Sequence, residues 1–291
     1  MIKEFEYFAP KTVAEACSLL SQYREEAKMI AGGQSLLILM WQGLVAPEYV
    51  IDIKGISDLD YIDFDDKEGL RIGALTTHRA IEKSPLIQNG FSVLSEMELL
   101  LATVQTRNWG TIGGNLSHAD PTGDPAPPLI AMNARVKMVG SGGERVAALE
   151  DFSKDFFETI LQADEMLTEI QVPKPPPHTG TAYMKFALME GDSAIVGAAA
   201  SITLEPGSGV CKDARIVLGG VAPVPLRAKR AEQVLVGKKV AEELMAEAAQ
   251  VAAEETRPTS DMHASAEYRR ELVQVFVRRA ARQALERASK A

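Results

Sequence analysis

Two glycine pairs limit what this chain can fold into: Ala31-Gly32-Gly33-Gln34-Ser35-Leu36 and Thr111-Ile112-Gly113-Gly114-Asn115. A glycine pair lets the backbone turn tightly and brings N–H groups within hydrogen-bond reach of a bulky anion. Gln34 and Ser35 in the first segment, and Thr111 and Asn115 in the second, add side chains able to bond phosphate oxygens. Either segment alone reads first as a tight turn, since Gly142-Gly143 and Gly219-Gly220 show that such pairs recur here. Two of them about eighty residues apart, each following one regular element and leading into another, read as two walls of a single diphosphate site.

No G-x-G-x-x-G closes a strand and opens a helix, and no Walker A pattern occurs, so the chain does not read as a Rossmann or P-loop protein. Its 291 residues, 46% hydrophobic, suffice for one large or two moderate domains with a real core. No apolar run approaches the ~18 residues of a membrane span. The start, Met1-Ile2-Lys3-Glu4-Phe5, lacks the basic-then-apolar pattern of a signal peptide, and a cytoplasmic location is expected. A net charge of −9 argues against a nucleic-acid partner, which needs a positive surface. Cys17 and Cys211 have no CxxC neighbour, and His78, His118, His178 and His263 are scattered without metal-ligand spacing. No metal site, iron–sulfur cluster or catalytic residue is expected in this chain.

The pattern opens strand, helix, strand: a strand within 5–9, a helix from Val13 to Tyr23 with a Thr12/Glu15 capping box, and a strand at 27–30 feeding the first glycine segment. Further strands are expected at 49–53 and 70–74, and helices at 81–87 and 93–101, the latter delivering the chain to the second glycine segment. After the strand 167–172 comes Pro173-Lys174-Pro175-Pro176-Pro177, a stiff extended connector that places a domain boundary there. Three strands (181–188, 197–204, 214–221) and two long helices (240–255, 267–289) follow. The fold class is α+β, divided into 1–175 and 176–291.

These residues resemble the FAD-binding medium subunit of molybdenum hydroxylases, the family of xanthine dehydrogenase and carbon monoxide dehydrogenase. The two glycine segments carry the likeness. So do Phe5-Glu6-Tyr7-Phe8-Ala9-Pro10, Gly73-Ala74-Leu75-Thr76-Thr77-His78, His118-Ala119-Asp120-Pro121-Thr122-Gly123-Asp124, Gly219-Gly220-Val221-Ala222-Pro223 and Ser265-Ala266-Glu267-Tyr268-Arg269-Arg270. The resemblance implies a two-subdomain FAD-binding domain of the vanillyl-alcohol-oxidase (PCMH) type, then a small C-terminal domain with a three-stranded sheet and helices.

Carried over by position, it implies that Met29, Ile30, Ala31, Gly32, Gly33, Gln34, Ser35 and Leu36 surround the FAD diphosphate together with Gly110, Thr111, Gly113, Gly114 and Asn115. Leu101 and Ala102 would pack near the cofactor, with Gly123 and Leu167 as further binding positions. Asp124 would accept from FAD hydroxyls, and Lys185 would lie beside the isoalloxazine, where a cation stabilises the reduced ring. Thr76 and Thr77 read either as polar contacts or as strand-end caps. The chain departs from the family at Leu37-Ile38, where Leu-Pro is usual, and at Ser193, where some relatives put an aromatic over the flavin.

The implied role is that of a relay. Substrate is oxidised at a molybdenum–pterin centre on a large subunit, and two [2Fe-2S] clusters on a small subunit pass electrons to FAD here and on to an external acceptor, in a dimer of heterotrimers. A stand-alone MurB-like oxidoreductase and a catalytically silent assembly subunit are the rival readings.

Overall fold

The computed structural model describes residues 2–290. The chain opens with a three-stranded parallel sheet in which Tyr49–Asp52 lies between Glu6–Phe8 and Ala27–Ile30. The helix Val13–Tyr23 makes the first crossover, and it begins where the capping residues place it. Thr12 Oγ1 accepts from Glu15 N at 3.2 Å. The Glu15 carboxylate reaches Lys11 N (2.7 Å) instead of the cap residue's own amide, so the box closes one residue early. The helix buries Ala16, Cys17 and Leu20 against Ile51, Ile53 and Ile56.

The next sheet is antiparallel and five-stranded: Ile62–Asp65, Gly69–Gly73, Met166–Val172, Arg135–Gly140 and Gly143–Ala148. Its central strand, Met166–Val172, pairs on one side with the strand that precedes residue 74 and on the other with the strand that follows residue 134. Both ends of the intervening segment are thereby pinned. That segment forms the helices His78–Lys83, Pro85–Gly90, Ser92–Leu100, Val104–Trp109, Ile112–His118 and Ala126–Ala131.

Several local expectations change. The helix expected over 81–87 is broken at Ser84, which ends one helix and caps the next with its hydroxyl on Ile87 N (3.4 Å), because Pro85 has no N–H to continue the first. The helix Val104–Trp109, capped by Thr103, intervenes before the second glycine segment. The hairpin 135–148, turning at Gly143 (φ +115°), was not anticipated.

Residues 173–178 run without regular structure into an antiparallel sheet of four strands: Thr179–Phe186, Val196–Leu204, Cys211–Gly219 and the two-residue Leu226–Arg227, one more than the three expected. Every residue of Val196–Leu204 is buried, because the sheet is covered on both faces. The period of two sorts the side chains. Ala182, Ala198, Ala200, Ile216 and Leu218 meet the helices Glu242–Glu255 and Ala266–Ala288, whereas Tyr183, Ala199 and Val217 join the core around Leu94, Met97 and Leu129. Tyr183 and Lys185, two residues apart on one strand, both face the first part of the chain. The C-terminal sheet therefore completes the core into which the candidate site is built.

Candidate functional site

The segment 31–35 leaves the strand Ala27–Ile30 and enters the helix Leu36–Gln42. Gly33 is left-handed (φ +72°), the conformation for which glycine is needed. Gly32 serves packing instead: a Cβ there would lie 2.1 Å from the Trp109 carbonyl oxygen and 2.7 Å from Gly110 Cα. A Cβ on Gly110 would in turn meet Gln34 Cγ at 3.5 Å. The two glycine segments are in direct backbone contact. Among the described residues, the amides of Gly32, Gly33, Gln34, Ser35 and Leu36 donate to no protein acceptor, although Leu37 N donates to Gly33 O. Five consecutive free N–H groups on a turn, packed through Gly32 against the start of a second small-residue segment, fit an anionic group such as a diphosphate.

The second segment does not form the tight turn that a glycine pair suggests in the sequence; it opens a helix. Thr111 caps the helix Ile112–His118, its Oγ1 accepting from Gly114 N at 3.1 Å, and Gly113 and Gly114 form the first turn. Neither needs a positive φ. Gly113 is required by contact, since a Cβ there would sit 2.5 Å from the Ala74 side chain. Asn115 is half-buried beside Gly123, whose Cβ would meet its Oδ1 at 3.3 Å.

The strip 74–78 ties this helix down: Gly113 N donates to Ala74 O, Ile112 N to Thr76 O and His78 N to Gly110 O, each at 3.0 Å. The hydroxyls of Thr76 and Thr77 are committed to this frame. Thr76 Oγ1 donates to Tyr61 O (2.9 Å) and accepts from Tyr61 N, and Thr77 caps the helix His78–Lys83 through Ala80 N. Thr76 thus ties a strand end to Tyr61, while Thr77 caps a helix and not a strand end. Leu167 pairs with Met138, and its side chain is buried in the core of the five-stranded sheet. Ile30 is likewise buried, with Met40 and Val50, and the half-buried Leu36 packs on that cluster, while Met29 packs on the neighbouring one. These side chains pack into the cores on which the two glycine segments are built.

Asp124 and Lys185, each of which reads in isolation as a surface charge, form a buried ion pair at 2.7 Å with side chains 7% and 4% exposed. An Asx turn in which Asp120 Oδ1 accepts from Thr122 N (2.8 Å) leads the chain to Asp124. Tyr183 Oη donates to the other Asp124 oxygen (2.7 Å), and Lys185 Nζ also donates to Leu100 O (2.9 Å). Gly197, opposite Lys185, leaves the room this needs, since a Cβ there would lie 2.7 Å from the Tyr183 hydroxyl. Burial pushes the Asp124 carboxyl above its ordinary value, and Lys185 pulls it back. Each oxygen of Asp124 accepts one hydrogen bond within the chain, from Tyr183 and from Lys185, so the carboxylate holds Lys185 in place.

Sequence reasoning missed the groups around this pair. Glu98 is fully buried and faces His78 (Oε1 to Nδ1, 3.0 Å), and its second oxygen has no partner among the described residues. Burial raises its carboxyl, with the Asp124 charge adding to the effect and His78 opposing it. Leu101 is buried, and Ala102, half-buried, is left-handed (φ +44°), with the Arg107 guanidinium on both carbonyls. The sequence holds little signal for Glu98 or Arg107, since Glu98 shares its helix with Glu96 and Arg107 stands among Gln105, Thr106 and Asn108. Ser193 is exposed at the end of a turn that carries the exposed Leu188 and Met189.

Residues 3–175 match the family model described as the FAD binding domain in molybdopterin dehydrogenase, and residues 181–284 that of the CO dehydrogenase flavoprotein C-terminal domain. The chain is 36% identical to the carbon monoxide dehydrogenase medium chain of Afipia carboxidovorans over 98% of both proteins. It is 34% identical to the 6-hydroxypseudooxynicotine dehydrogenase complex subunit alpha of Paenarthrobacter nicotinovorans, over 98% of this chain and 95% of that one. Among solved structures, a chain of carbon monoxide dehydrogenase from Hydrogenophaga pseudoflava superposes with a TM-score of 0.95 at 36% identity, over 99% of each chain. No helix among the described residues is long and apolar enough to cross a membrane. With both of its parts matched and its fold shared, the chain belongs to the family of FAD-binding medium subunits of molybdenum hydroxylases.

Proposed function

We infer that this chain is an electron relay. It holds FAD with the diphosphate between residues 31–36 and 110–115, and it passes electrons from two [2Fe-2S] clusters of a small partner subunit to an external acceptor. The molybdenum–pterin cofactor that oxidises the substrate belongs, on this reading, to a large subunit, in a dimer of heterotrimers located in the cytoplasm. The relatives' names, a medium chain and a complex subunit, support partners of this kind. Residues 1–175 form the flavin-binding domain and 176–291 the C-terminal domain.

The observation that carries the reading is the run of five free amides from Gly32 to Leu36, packed by Gly32 onto Trp109 and Gly110. FAD supplies the redox chemistry when bound. The amides hold the negative oxygens, and Gln34 and Asn115 offer further donors at the rim. Lys185, fixed by Asp124 and the Leu100 carbonyl, keeps a desolvated positive charge in one place, where it stabilises a reduced, negatively charged ring.

The test is purification of the chain with the products of its neighbouring genes, followed by addition of substrate. Substrate-dependent bleaching of the flavin only when the cluster-bearing and molybdenum-bearing subunits are present is the expected result. Flavin reduction by an organic substrate in the isolated chain at enzymatic rates would make it a stand-alone oxidoreductase. A complex without flavin would make it an assembly subunit.

A further inference from the structure

We propose that Arg107 is a positioning residue of the flavin site: with Glu82 it clamps the Leu101–Ala102 corner in a left-handed conformation that the bound cofactor requires. The proposal rests on the reading above that this corner lines the flavin.

Ala102 has φ +44°, a conformation in which the Cβ of an L-residue crowds the following carbonyl. An alanine stays there only if its surroundings hold it. Arg107 does so directly. Its Nη1 donates to Leu101 O (2.6 Å) and to Ala102 O (3.1 Å), and its Nε donates to Glu82 Oε2 (3.0 Å). The guanidinium is buried, and so is Glu82, whose other oxygen takes Arg79 (2.5 Å) and Lys83 (3.1 Å). Burial favours the neutral form of Glu82, but hydrogen bonds from Arg79, Lys83 and Arg107 hold its carboxyl below the ordinary range, so the anchor of the clamp stays charged.

Lys185 completes the pattern by binding the preceding carbonyl, Leu100 O. Three consecutive carbonyls, from residues 100, 101 and 102, are thus turned toward two buried cations. In a trans peptide the N–H of the next residue points the opposite way. The N–H groups of Ala102 and Thr103 therefore face away from Arg107, and among the described residues they donate to no acceptor. The clamp leaves this pair of donors for an acceptor brought to the corner. The left-handed Gly191 also packs on this corner, since a Cβ on it would lie 2.8 Å from Ala102 O.

The experiment uses the assembled complex and compares wild type, Arg107→Lys, Arg107→Gln and Arg107→Gln combined with Ala102→Gly. FAD affinity is measured by titrating flavin-depleted complex, and the surroundings of the ring by visible circular dichroism. Arg107→Gln is expected to weaken FAD about tenfold, the size of the left-handed cost, and to change the flavin dichroism. Adding Ala102→Gly should recover most of that affinity, because glycine takes the conformation without a clamp. Should Arg107→Gln fail to fold, Arg107→Lys, which keeps the charge but only one donor nitrogen, should still show a smaller loss of affinity with altered dichroism. Variants whose melting temperature falls while affinity and dichroism stay at wild-type values would overturn the proposal, as would failure of Ala102→Gly to recover binding. A wild-type complex that binds no FAD would overturn the parent reading and the clamp's role with it.

Discussion

Gly32 lies so close to Trp109 that a Cβ on it would stand 2.1 Å from the Trp109 carbonyl oxygen. This contact joins the two glycine segments into one site, so a single methyl group there has to push them apart. Gly32→Ala is expected to cost about 1–3 kcal/mol as overpacking and to lower the FAD content of the purified protein. Gly142→Ala, where a Cβ meets nothing within 4 Å, is the control, expected within about 0.5 kcal/mol of wild type. Thermal unfolding together with flavin absorbance reads both.

Lys185→Met leaves the Asp124 carboxylate buried without its cation. Breaking one side of such a pair costs about 3–5 kcal/mol, and adding Asp124→Asn should return a large part of it. The flavin midpoint potential should fall in the single and the double variant alike, since neither restores a cation beside the ring. Recovery of the potential along with the stability would show that Lys185 acts only on the fold.

Glu98 contributes to the pH dependence of stability with a definite sign. Burial raises its carboxyl in the folded chain above the ordinary 4.5, so the folded state holds that proton to higher pH than the unfolded state. Its contribution is complete below 4.5 and is lost as pH rises through the raised folded value. Asp124, raised by burial as well, adds in the same direction, whereas Glu82, Glu150 and Glu165, all lowered, act in the opposite one. The difference between wild type and Glu98→Gln isolates the group: melting temperatures measured across pH should decline less steeply for the variant above 4.5. Parallel curves would contradict the assignment.

Neither cysteine should react in the native protein. Both are buried, and burial pushes the Cys211 thiol up to about 11 and raises Cys17 as well. A chromogenic disulfide reagent at pH 8 should label them only after denaturant is added. Rapid labelling of the folded chain would show that one of these regions opens.

Much of the outer frame was legible in the sequence because it is set locally. The helix Val13–Tyr23 runs between the residues that its cap and its apolar spacing indicate, and the strand Ala27–Ile30 and the long C-terminal helices lie where their patterns put them. The glycine segments stood out by composition, yet their glycines serve three purposes that composition does not separate. Gly33 supplies a left-handed turn, Gly32 a close backbone approach, and Gly113 a helix turn pressed onto Ala74.

The buried charges were not legible, because each is explained by a partner distant in sequence. Asp124 meets Tyr183 across 59 positions and Lys185 across 61, and His78 meets Glu98 across 20. Only the alternation on the strand Thr179–Phe186, which puts Tyr183 and Lys185 on one face, hinted that they act together. The hairpin 135–148 was missed for a similar reason: its outer strand is half-exposed and charged, and it reads as a loop until Met166–Val172 fixes the neighbouring strand.

The identity and stoichiometry of the flavin in the purified complex test the central claim most directly. Acid precipitation should release one FAD per copy of this chain into the supernatant and leave a colourless pellet. A released FMN, colour that stays with the precipitated chain, or a complex with no flavin would each contradict a diphosphate held non-covalently between the two glycine segments.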